Sequence, residues 1–273
     1  MPTAKPLLYR SNMPLSFAAI LPHSPLLVPN IGKDNLSFFK QTLAGAEILA
    51  QHLEKAEVDM MLVISSHGTI LQENFVCNIA PHFEADLSAF GDLVTRWEHT
   101  GSLSTPARMQ QQVTRPLSIK LTSESLDYAS AIALYLAKVP ERIPVAALTV
   151  PPQPSETLFS AGKSIQEYIV NEEKRIGVIA SADLSHRLNK KSPAGYSAKA
   201  KKLEQKILDH LVRGEHKDIL NITPAAIEDA AIEDLGVIIN FLGIIHGFKT
   251  EASLLSYESP FGIGHPVVHY QLS

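Results

Sequence analysis

The stretch SFAAILPHSPLLVP, residues 16–29, predicts both a buried strand and the position of a functional residue. Its apolar beginning leads into Pro22, presents His23 and is followed by two further prolines. A short apolar run bounded by prolines is typical of a buried strand that enters a rigid loop. Open α/β sheets bind their ligands beyond the carboxyl ends of their strands. His23 is therefore a candidate functional residue.

Two later stretches repeat this pattern. Residues 60–68, MMLVISSHG, carry His67 near their end, and residues 176–186, IGVIASADLSH, end in His186. Both apolar runs lack the alternation of a half-exposed strand, which indicates strands that are covered on both faces. The spacing alone leaves open whether the three histidines meet in space.

Predicted strands and helices alternate through most of the chain. This order favours a single α/β domain with a central, largely parallel or mixed sheet flanked by helices. Residues 1–15 are predicted to be an N-terminal lead-in and residues 16–273 to form the domain. We expect Asp34 to cap a helix that runs to about Lys55, and residues 81–104 to be irregular.

The composition is that of a packed globular protein. Among 273 residues 45% are apolar, the formal net charge is −4 and no dense Lys/Arg run occurs, which argues against nucleic acid and anionic membranes as partners. The longest apolar stretch, residues 235–248, is shorter than the roughly 20 residues that span a bilayer. One cysteine, Cys77, excludes a disulfide framework and a cysteine-rich zinc site. These features together predict a cytoplasmic protein.

His23, His67 and a carboxylate make a candidate metal site. Neutral imidazole suits zinc, iron and copper, and two histidines with one carboxylate are the ligand set of non-haem Fe(II) oxygenases. Such a set leaves positions open for a substrate and dioxygen. The alternative is that each histidine only fixes its own loop through hydrogen bonds.

The third histidine has neighbours suited to acid–base chemistry. His186 follows Asp183 and Ser185, two short polar residues that are able to orient an imidazole. A histidine with an ordinary pKa near 6.5 is the usual general acid–base residue. The alternative is that Asp183 only begins a loop and that His186 lies at the edge of the core.

At this point the chain resembles a known family. LPHSPLLVP, VISSHG and ASADLSHRL are similar to the three signature segments of the class III extradiol ring-cleavage dioxygenases, the family of the protocatechuate 4,5-dioxygenase beta subunit. The most similar subgroup is the one related to the Memo proteins. The resemblance runs from about residue 16 to residue 270 and includes SPAGYSAKAKKLEQKI and, near the end, SYESPFG. Four of these short motifs in the same order make it fairly specific.

The resemblance implies one dioxygenase-like domain with a metal site at the strand ends. In the family, residues matching His23 and His67 hold the metal and the residue matching His186 is the catalytic acid–base. The matching third ligand is Glu233, with Glu228 and Asp234 as alternatives. The implied cofactor is Fe(II), with Zn(II) as a second expectation. The implied reactants are a catechol-type aromatic and dioxygen, and a homodimer is expected because family members often dimerise.

The chain departs from the family pattern at one position. The family has Leu-Asp-His-Gly where this sequence reads Leu126-Asp127-Tyr128-Ala129, so that Tyr128 replaces a histidine that lines the site. A tyrosine hydroxyl still donates hydrogen bonds, and we treat Tyr128 as a candidate catalytic residue. Further candidates for the surroundings of the site are Ser24, Glu258 and His265.

Two other functions remain open at this level. The Memo resemblance allows a metal- or ligand-binding protein without dioxygenase activity, as does the exchange at Tyr128. A zinc-dependent hydrolase is also compatible, with His186 as the base that acts on a metal-bound water.

Overall fold

The central sheet places the ends of three strands at one edge of the molecule. The computed structural model describes residues 13–273, so most of the predicted lead-in lies outside the described residues. Within residues 13–273 the chain forms ten strands, eight of which share the central sheet. The strands are β1 (Leu15–Leu21), β2 (Met60–Ser65), β3 (Asn74–Asn78), β4 (His82–Glu84), β5 (Glu98–Thr100), β6 (Ser118–Thr122), β7 (Val145–Thr149), β8 (Ile176–Ser181), β9 (Thr250–Glu258) and β10 (His265–Leu272).

Helices cover both faces of this sheet. In the described part of the chain there are nine α-helices, joined by short 3₁₀ turns. They are α1 (Pro29–Gly32), α2 (Lys40–Lys55), α3 (Ser104–Gln112), α4 (Tyr128–Leu136), α5 (Ser155–Val170), α6 (Ala200–Arg213), α7 (His216–Leu220), α8 (Pro224–Ala230) and α9 (Leu235–Ile244).

The sheet is mixed, with a parallel centre and antiparallel margins. Its strand order is β6-β3-β7-β2-β8-β1-β10-β9. β2 is parallel to β7 and β8, and β8 is parallel to β1, whereas β10 runs antiparallel to β1 and β3 runs antiparallel to β7. Parallel neighbours end at the same edge, as the pairing of Leu21 with Ser181 shows. The predicted single α/β domain with a mixed sheet is confirmed.

Two hydrophobic cores form because successive side chains of a strand point to opposite faces. In β1, Ala18 and Ile20 belong to the core beneath α5, α6 and α9, whereas Phe17 and Ala19 belong to the core beneath α2 and α4. Every residue of β2 and β8 is buried. This explains why their sequences are continuous apolar runs rather than alternating patterns.

Two local predictions were wrong. Asp34 lies inside the 3₁₀ segment Lys33–Phe39 and does not cap α2, because Lys33 adopts a positive φ of 48° that separates α1 from the following turn. Residues 81–104 are not irregular throughout, since β4 and β5 form an antiparallel pair in which Phe83 faces His99. Both strands have only three residues, too few for a readable alternation.

The longest apolar stretch of the sequence forms the buried helix α9. No helix among residues 13–273 is long and apolar enough to cross a membrane. α9 packs tightly on α5 through Gly162 and Gly243, whose backbones are in close contact. A Cβ at Gly162 would overlap the carbonyl oxygen of Asn240 and the Cα of Gly243. The contact therefore sets the position of α9 and of the residue that precedes it, Asp234.

We predict that Gly162→Ala destabilises the protein, although alanine is the better helix former. Because the added methyl group meets backbone atoms that cannot turn away, the free energy of unfolding should fall by about 1–3 kcal/mol. Urea denaturation measures this change. Ser160→Ala, on the exposed side of the same helix, is the matched control and should change stability by less than about 0.5 kcal/mol. Equal stability of the two variants would show that the glycine contact is not needed.

Candidate metal centre

His23 and His67 converge at the shared edge of the parallel strands. Each lies two residues beyond its strand, β1 or β2, and their ring centroids are 4.7 Å apart. Asp234, directly before α9, faces both rings. The distance from its Oδ2 to His23 Nε2 is 3.6 Å, and the distance from its Oδ1 to His67 Nε2 is also 3.6 Å. The three side chains form a cluster in which each offers one possible metal ligand atom.

The carboxylate in this cluster belongs to Asp234 and not to the predicted Glu233. Asp234 is 2% exposed, and it accepts hydrogen bonds from Ser66 Oγ at 2.5 Å and from the backbone nitrogen of Asp183 at 3.1 Å. Glu233 is exposed, as is the other alternative, Glu228. Asp234 rather than Glu233 faces the histidines because the chain reverses direction after α8, where Ala231 has a φ of 46°. That turn directs residue 234 inward and residue 233 outward.

The orientation of His23 follows from the hydrogen bonds of Ser181. The Ser181 hydroxyl donates to the carbonyl oxygen of Ala129 at 2.8 Å, and it lies 3.1 Å from His23 Nδ1. A hydroxyl has one hydrogen to donate, so it must accept from His23 Nδ1. The Nε2 atom of neutral His23 then carries a lone pair that faces Asp234. This is the tautomer that binds a metal through Nε2.

His67 is held in a comparable way by Tyr128. The Tyr128 hydroxyl lies 3.2 Å from His67 Nδ1, which leaves His67 Nε2 facing Asp234. Burial, followed by the neighbouring His23, lowers the pKa of His67 below its usual value. His67 is thus neutral at physiological pH, the state in which an imidazole coordinates a metal.

The position of Tyr128 depends on the start of α4. Asp127 is the N-cap of this helix, and its Oδ1 accepts from the backbone nitrogen of Ser130 at 2.9 Å and from Ser65 Oγ at 3.0 Å. Burial and the nearby carboxylates, Asp234 first, raise the pKa of Tyr128. The protonated hydroxyl can both donate and accept, so it bonds to His67 Nδ1 in either tautomer, and only when it accepts from Nδ1 is the Nε2 lone pair free for a metal.

The donor set fits a divalent cation. In the neutral form of His23 the lone pair on Nε2 faces the Asp234 carboxylate, and the two repel each other unless a positive charge lies between them. Two donors that each lie about 2.0–2.2 Å from one ion are at most about 4.4 Å apart. The separations of 3.6 Å satisfy this limit. Imidazole and carboxylate ligands suit iron and zinc, and the geometry does not distinguish the two metals.

A second carboxylate, Asp183, lies behind the cluster. Its Oδ1 is 2.9 Å from His265 Nδ1, and it accepts from the backbone nitrogen of His23 at 3.4 Å. Burial would raise the pKa of Asp183, but His265 and His23 together lower it below the usual value. Asp183 is therefore ionised, and it ties the His23 loop to β10 through His265.

His186 lies in the loop that follows β8. Its backbone nitrogen donates to the carbonyl oxygen of Ala231 at 3.2 Å, and it is close enough to Asp183 to help lower the pKa of that carboxyl. Its Nε2 atom is buried and has no hydrogen-bond partner within residues 13–273. His186 is not among the described residues that line a cleft or form the cluster, so its acid–base role stays a prediction.

A buried glutamate supports this loop, and the sequence analysis missed it. Glu204 on α6 accepts from the backbone nitrogen of Ser185 at 2.6 Å and from the Tyr257 hydroxyl. The Ser185 hydroxyl in turn donates to the carbonyl oxygen of Ala230. Burial raises the pKa of Glu204 to about 7. Its position between Leu203 and Ile207, on the apolar face of α6, was the available signal.

Two predicted neighbours of the site contact other parts of the protein. Glu258 accepts from the backbone nitrogen of Thr42 in α2. Ser24 is buried at the start of a 3₁₀ turn, and in the described chain its side chain has no hydrogen bond to the cluster. Conversely, sequence reasoning did not identify Ser66 and Ser181, which orient Asp234 and His23.

A cleft opens beside His67. It has a volume of about 840 Å³. Its walls are mostly apolar and include the rigid segment Pro151–Pro154 and the side chains of Ile232 and Leu235. Ser66 and His67 form the end of the cleft nearest the cluster. An apolar cleft that ends at a few polar groups is the usual form of a small-molecule site.

An α/β sheet with a histidine–histidine–aspartate cluster at its strand ends defines a candidate metalloprotein. A model of the family described as the catalytic LigB subunit of aromatic ring-opening dioxygenase matches residues 17–268. The chain belongs to this family. The resemblance to class III extradiol dioxygenases is therefore confirmed, whereas the Memo-related subgroup stays a prediction.

Two relatives show how far the likeness extends. Protein CA_C1420 of Clostridium acetobutylicum is 24% identical over an alignment of 271 residues, which covers 94% of this chain and 57% of that protein. The chain thus spans little more than half of that relative's length. The crystal structure of uncharacterized protein JW3007 from Escherichia coli K12 has a TM-score of 0.68 at 17% identity, covering 93% of this chain and 99% of that one. This second likeness concerns the fold alone.

We predict that Asp234→Asn removes metal binding and that Glu233→Gln does not. Loss of the negative charge of Asp234 should weaken Zn(II) affinity by more than about 100-fold. Substitution of a residue that only supports a metal ligand weakens affinity by up to about 100-fold, so a larger loss indicates a ligand. The exposed Glu233 should change affinity by less than about threefold, because water screens its charge. Titration against a competing chelator measures both values. Equal losses in the two variants would contradict the assignment of Asp234 as a ligand.

We predict a pH-dependent stability that Glu204→Gln abolishes. Because the pKa of Glu204 rises from 4.5 to about 7 on folding, the folded state binds more protons than the unfolded state between these values. The contribution of protonated Glu204 to the free energy of unfolding is therefore complete below pH 4.5 and is lost as the pH rises through 7. From pH 5 to pH 8 the wild type should lose about 2–3 kcal/mol more than the variant.

The test of this pH dependence is urea unfolding of both proteins in the presence of a chelator, so that metal binding does not add to stability. Parallel pH profiles for the wild type and Glu204→Gln would show that Glu204 titrates normally.

Proposed function

We propose that this protein is a non-haem Fe(II)-dependent extradiol dioxygenase that opens the ring of a catechol-type aromatic. The cluster of His23, His67 and Asp234 carries the proposal, because two imidazoles and a carboxylate face one point beside an apolar cleft. Membership of the ring-opening dioxygenase family supports the reaction class. This ligand set is also the one that non-haem Fe(II) oxygenases use.

His23, His67 and Asp234 would hold the metal. When bound, Fe(II) supplies the redox chemistry for the reaction of dioxygen with an aromatic diol, and it brings both reactants to one centre. Ser181 and Tyr128 keep the two imidazole rings in the coordinating orientation through their Nδ1 atoms. These contacts lower the cost of organising the site when the substrate arrives.

His186 would move the proton. Its unpartnered Nε2 accepts a proton from a substrate hydroxyl and later returns it to the product. The ionised Asp183 nearby stabilises the imidazolium that forms in between. The hydrogen bonds from Ser185 and His186 to neighbouring segments hold this loop in place.

The cleft would bind the ring. Its apolar walls, which include Ile232, Leu235 and the prolines at 151, 152 and 154, remove water from the aromatic substrate. Gln153 bonds to the carbonyl oxygen of Gln72, which fixes the proline segment against the loop after β2. A rigid wall of this kind orients a flat ligand toward His67.

The test is anaerobic reconstitution with Fe(II), followed by exposure to oxygen with a panel of catechols. We predict a yellow ring-opened product, and a kcat about 10²–10⁴-fold lower in His186→Gln with unchanged iron content. Asp234→Asn should lose both iron and activity. An intact iron site without turnover of any catechol would refute the oxygenase proposal.

A second candidate is a metal-binding protein without oxygenase activity, including a zinc-dependent hydrolase. The contact between Tyr128 and His67 favours it, because the hydroxyl that stands in place of the family histidine is engaged with a ligand rather than directed at a substrate. Elemental analysis of protein purified from cells distinguishes the two. Iron favours the oxygenase, whereas zinc with hydrolytic activity favours the alternative.

A further inference from the structure

A second cavity lies between α2 and the end of α4, away from the metal cluster. Its volume is about 490 Å³, and it shares no lining residue with the cleft beside His67. α4 begins with Tyr128 next to His67, whereas residues 134–136 at the other end of this helix line the second cavity. Because a helix rises by about 1.5 Å per residue, the two ends are about 10 Å apart. We call this second site the α2–α4 cavity.

The walls of the α2–α4 cavity suit a flat apolar molecule. Leu43 and Ala46 of α2 form one wall. Trp97 and Tyr135 form another, and their rings are stacked with centroids 4.1 Å apart and an interplanar angle of 10°. Both rings are half-buried, so the stacked pair is partly open to a ligand. Aromatic and aliphatic walls around a volume of this size are typical of a site for a small aromatic ligand.

The charged side chains of the cavity lie at its rim. All of them are exposed, and they are Glu47, Arg96, Glu98, Lys138 and Glu141. The two cations are already paired, Lys138 with Glu47 at 2.5 Å and Arg96 with Glu84 at 2.9 Å. Water screens exposed charges of this kind. The rim therefore offers no free cation to an anionic ligand.

Among the described residues that line the cavity, His99 is the only buried polar side chain. It is 6% exposed, and its Nδ1 atom has no hydrogen-bond partner within residues 13–273. Burial lowers the pKa of His99 below its usual value, although Glu141 acts in the opposite direction, so the imidazole is neutral at physiological pH. Buried polar atoms almost always have a hydrogen-bond partner. His99 thus indicates a partner that the described chain does not supply.

We propose that the α2–α4 cavity binds a monohydric phenol, whose ring packs on Trp97 and Tyr135 and whose hydroxyl bonds to His99. A phenol hydroxyl both donates and accepts, so it fits either tautomer of a neutral imidazole. An aromatic hydrocarbon would leave the imidazole unpaired, and a carboxylate would lose hydration without gaining a free cation. A phenol with one hydroxyl cannot chelate a metal as a diol does, so this site is independent of the proposed function.

Trp97 is the only tryptophan of the chain, so its fluorescence reports directly on this cavity. The folded protein is titrated with phenol and with toluene, which carries a methyl group in place of the hydroxyl, both without metal and with bound Zn(II). We expect a saturable change in Trp97 emission, phenol binding at least as tight as toluene binding, and the same dissociation constants with and without Zn(II). No saturable response to phenol, or a response that requires Zn(II), would overturn the proposal.

The variant His99→Phe keeps a planar ring but removes both hydrogen-bonding nitrogens. It should weaken phenol binding by at least about tenfold and toluene binding by less than about threefold, because only phenol loses a hydrogen bond. Equal losses for the two ligands would mean that His99 only shapes the cavity, and the selection of a phenol would be wrong.

A second pair of variants tests the location independently of His99. Leu43→Phe adds a ring to the half-buried wall on α2 and should weaken both ligands by at least about tenfold, because the cavity becomes too small. Ile48→Phe places the same ring at an exposed position of α2 outside the cavity and should leave both dissociation constants unchanged. Thermal unfolding shows that each variant is folded. Wild-type affinity in folded Leu43→Phe would place the ligand elsewhere and contradict the proposal.

Discussion

The carboxylate of Asp234, which faces the Nε2 atoms of His23 and His67, is the interaction on which the site depends. It joins the ends of β1 and β2 to the start of α9, three elements that are far apart in the sequence. In the neutral form of His23 the lone pair on its Nε2 points at this negative charge, an arrangement that a bound cation would stabilise. The fold keeps it in place with hydrogen bonds from Ser66 and from the backbone of Asp183. The cluster thus has the charge distribution that suits a cation between the imidazoles and the carboxylate.

This organisation requires a rigid base, which the sheet and its helices provide. β1, β8 and β2 are adjacent parallel strands, so their carboxyl ends lie side by side without any adjustment of the loops. α9 must approach closely for Asp234 to reach both histidines. The contact between Gly162 and Gly243 permits this approach, because neither residue has a Cβ. The repulsion at the site is small compared with the apolar burial that holds these layers together.

The fold and two of the three cluster residues were predictable for one physical reason. Strands buried on both faces are continuous apolar runs, and residues just beyond parallel strands share an edge, so the segments ending near His23 and His67 could be identified from sequence. Short elements such as β4 and β5 could not, since three residues give no period. Glu204 was missed because the sequence does not show which loop packs against the apolar face of α6. The partner of its carboxylate, the backbone nitrogen of Ser185, is therefore visible only in the structure.

The carboxylate of the cluster lies one residue beyond the predicted Glu233, and the reason lies in the backbone. Glu233 and Asp234 are both acidic and both precede the same helix, so the apolar pattern cannot distinguish them. Their directions are set by the turn at Ala231, whose positive φ is unusual for alanine and has no signal in the sequence. Neighbouring residues at a helix start point about 100° apart. One carboxylate of the pair therefore faces the imidazoles, and the other lies exposed at the lining of the cleft, so a shift of one residue in the backbone decides which acid joins the cluster.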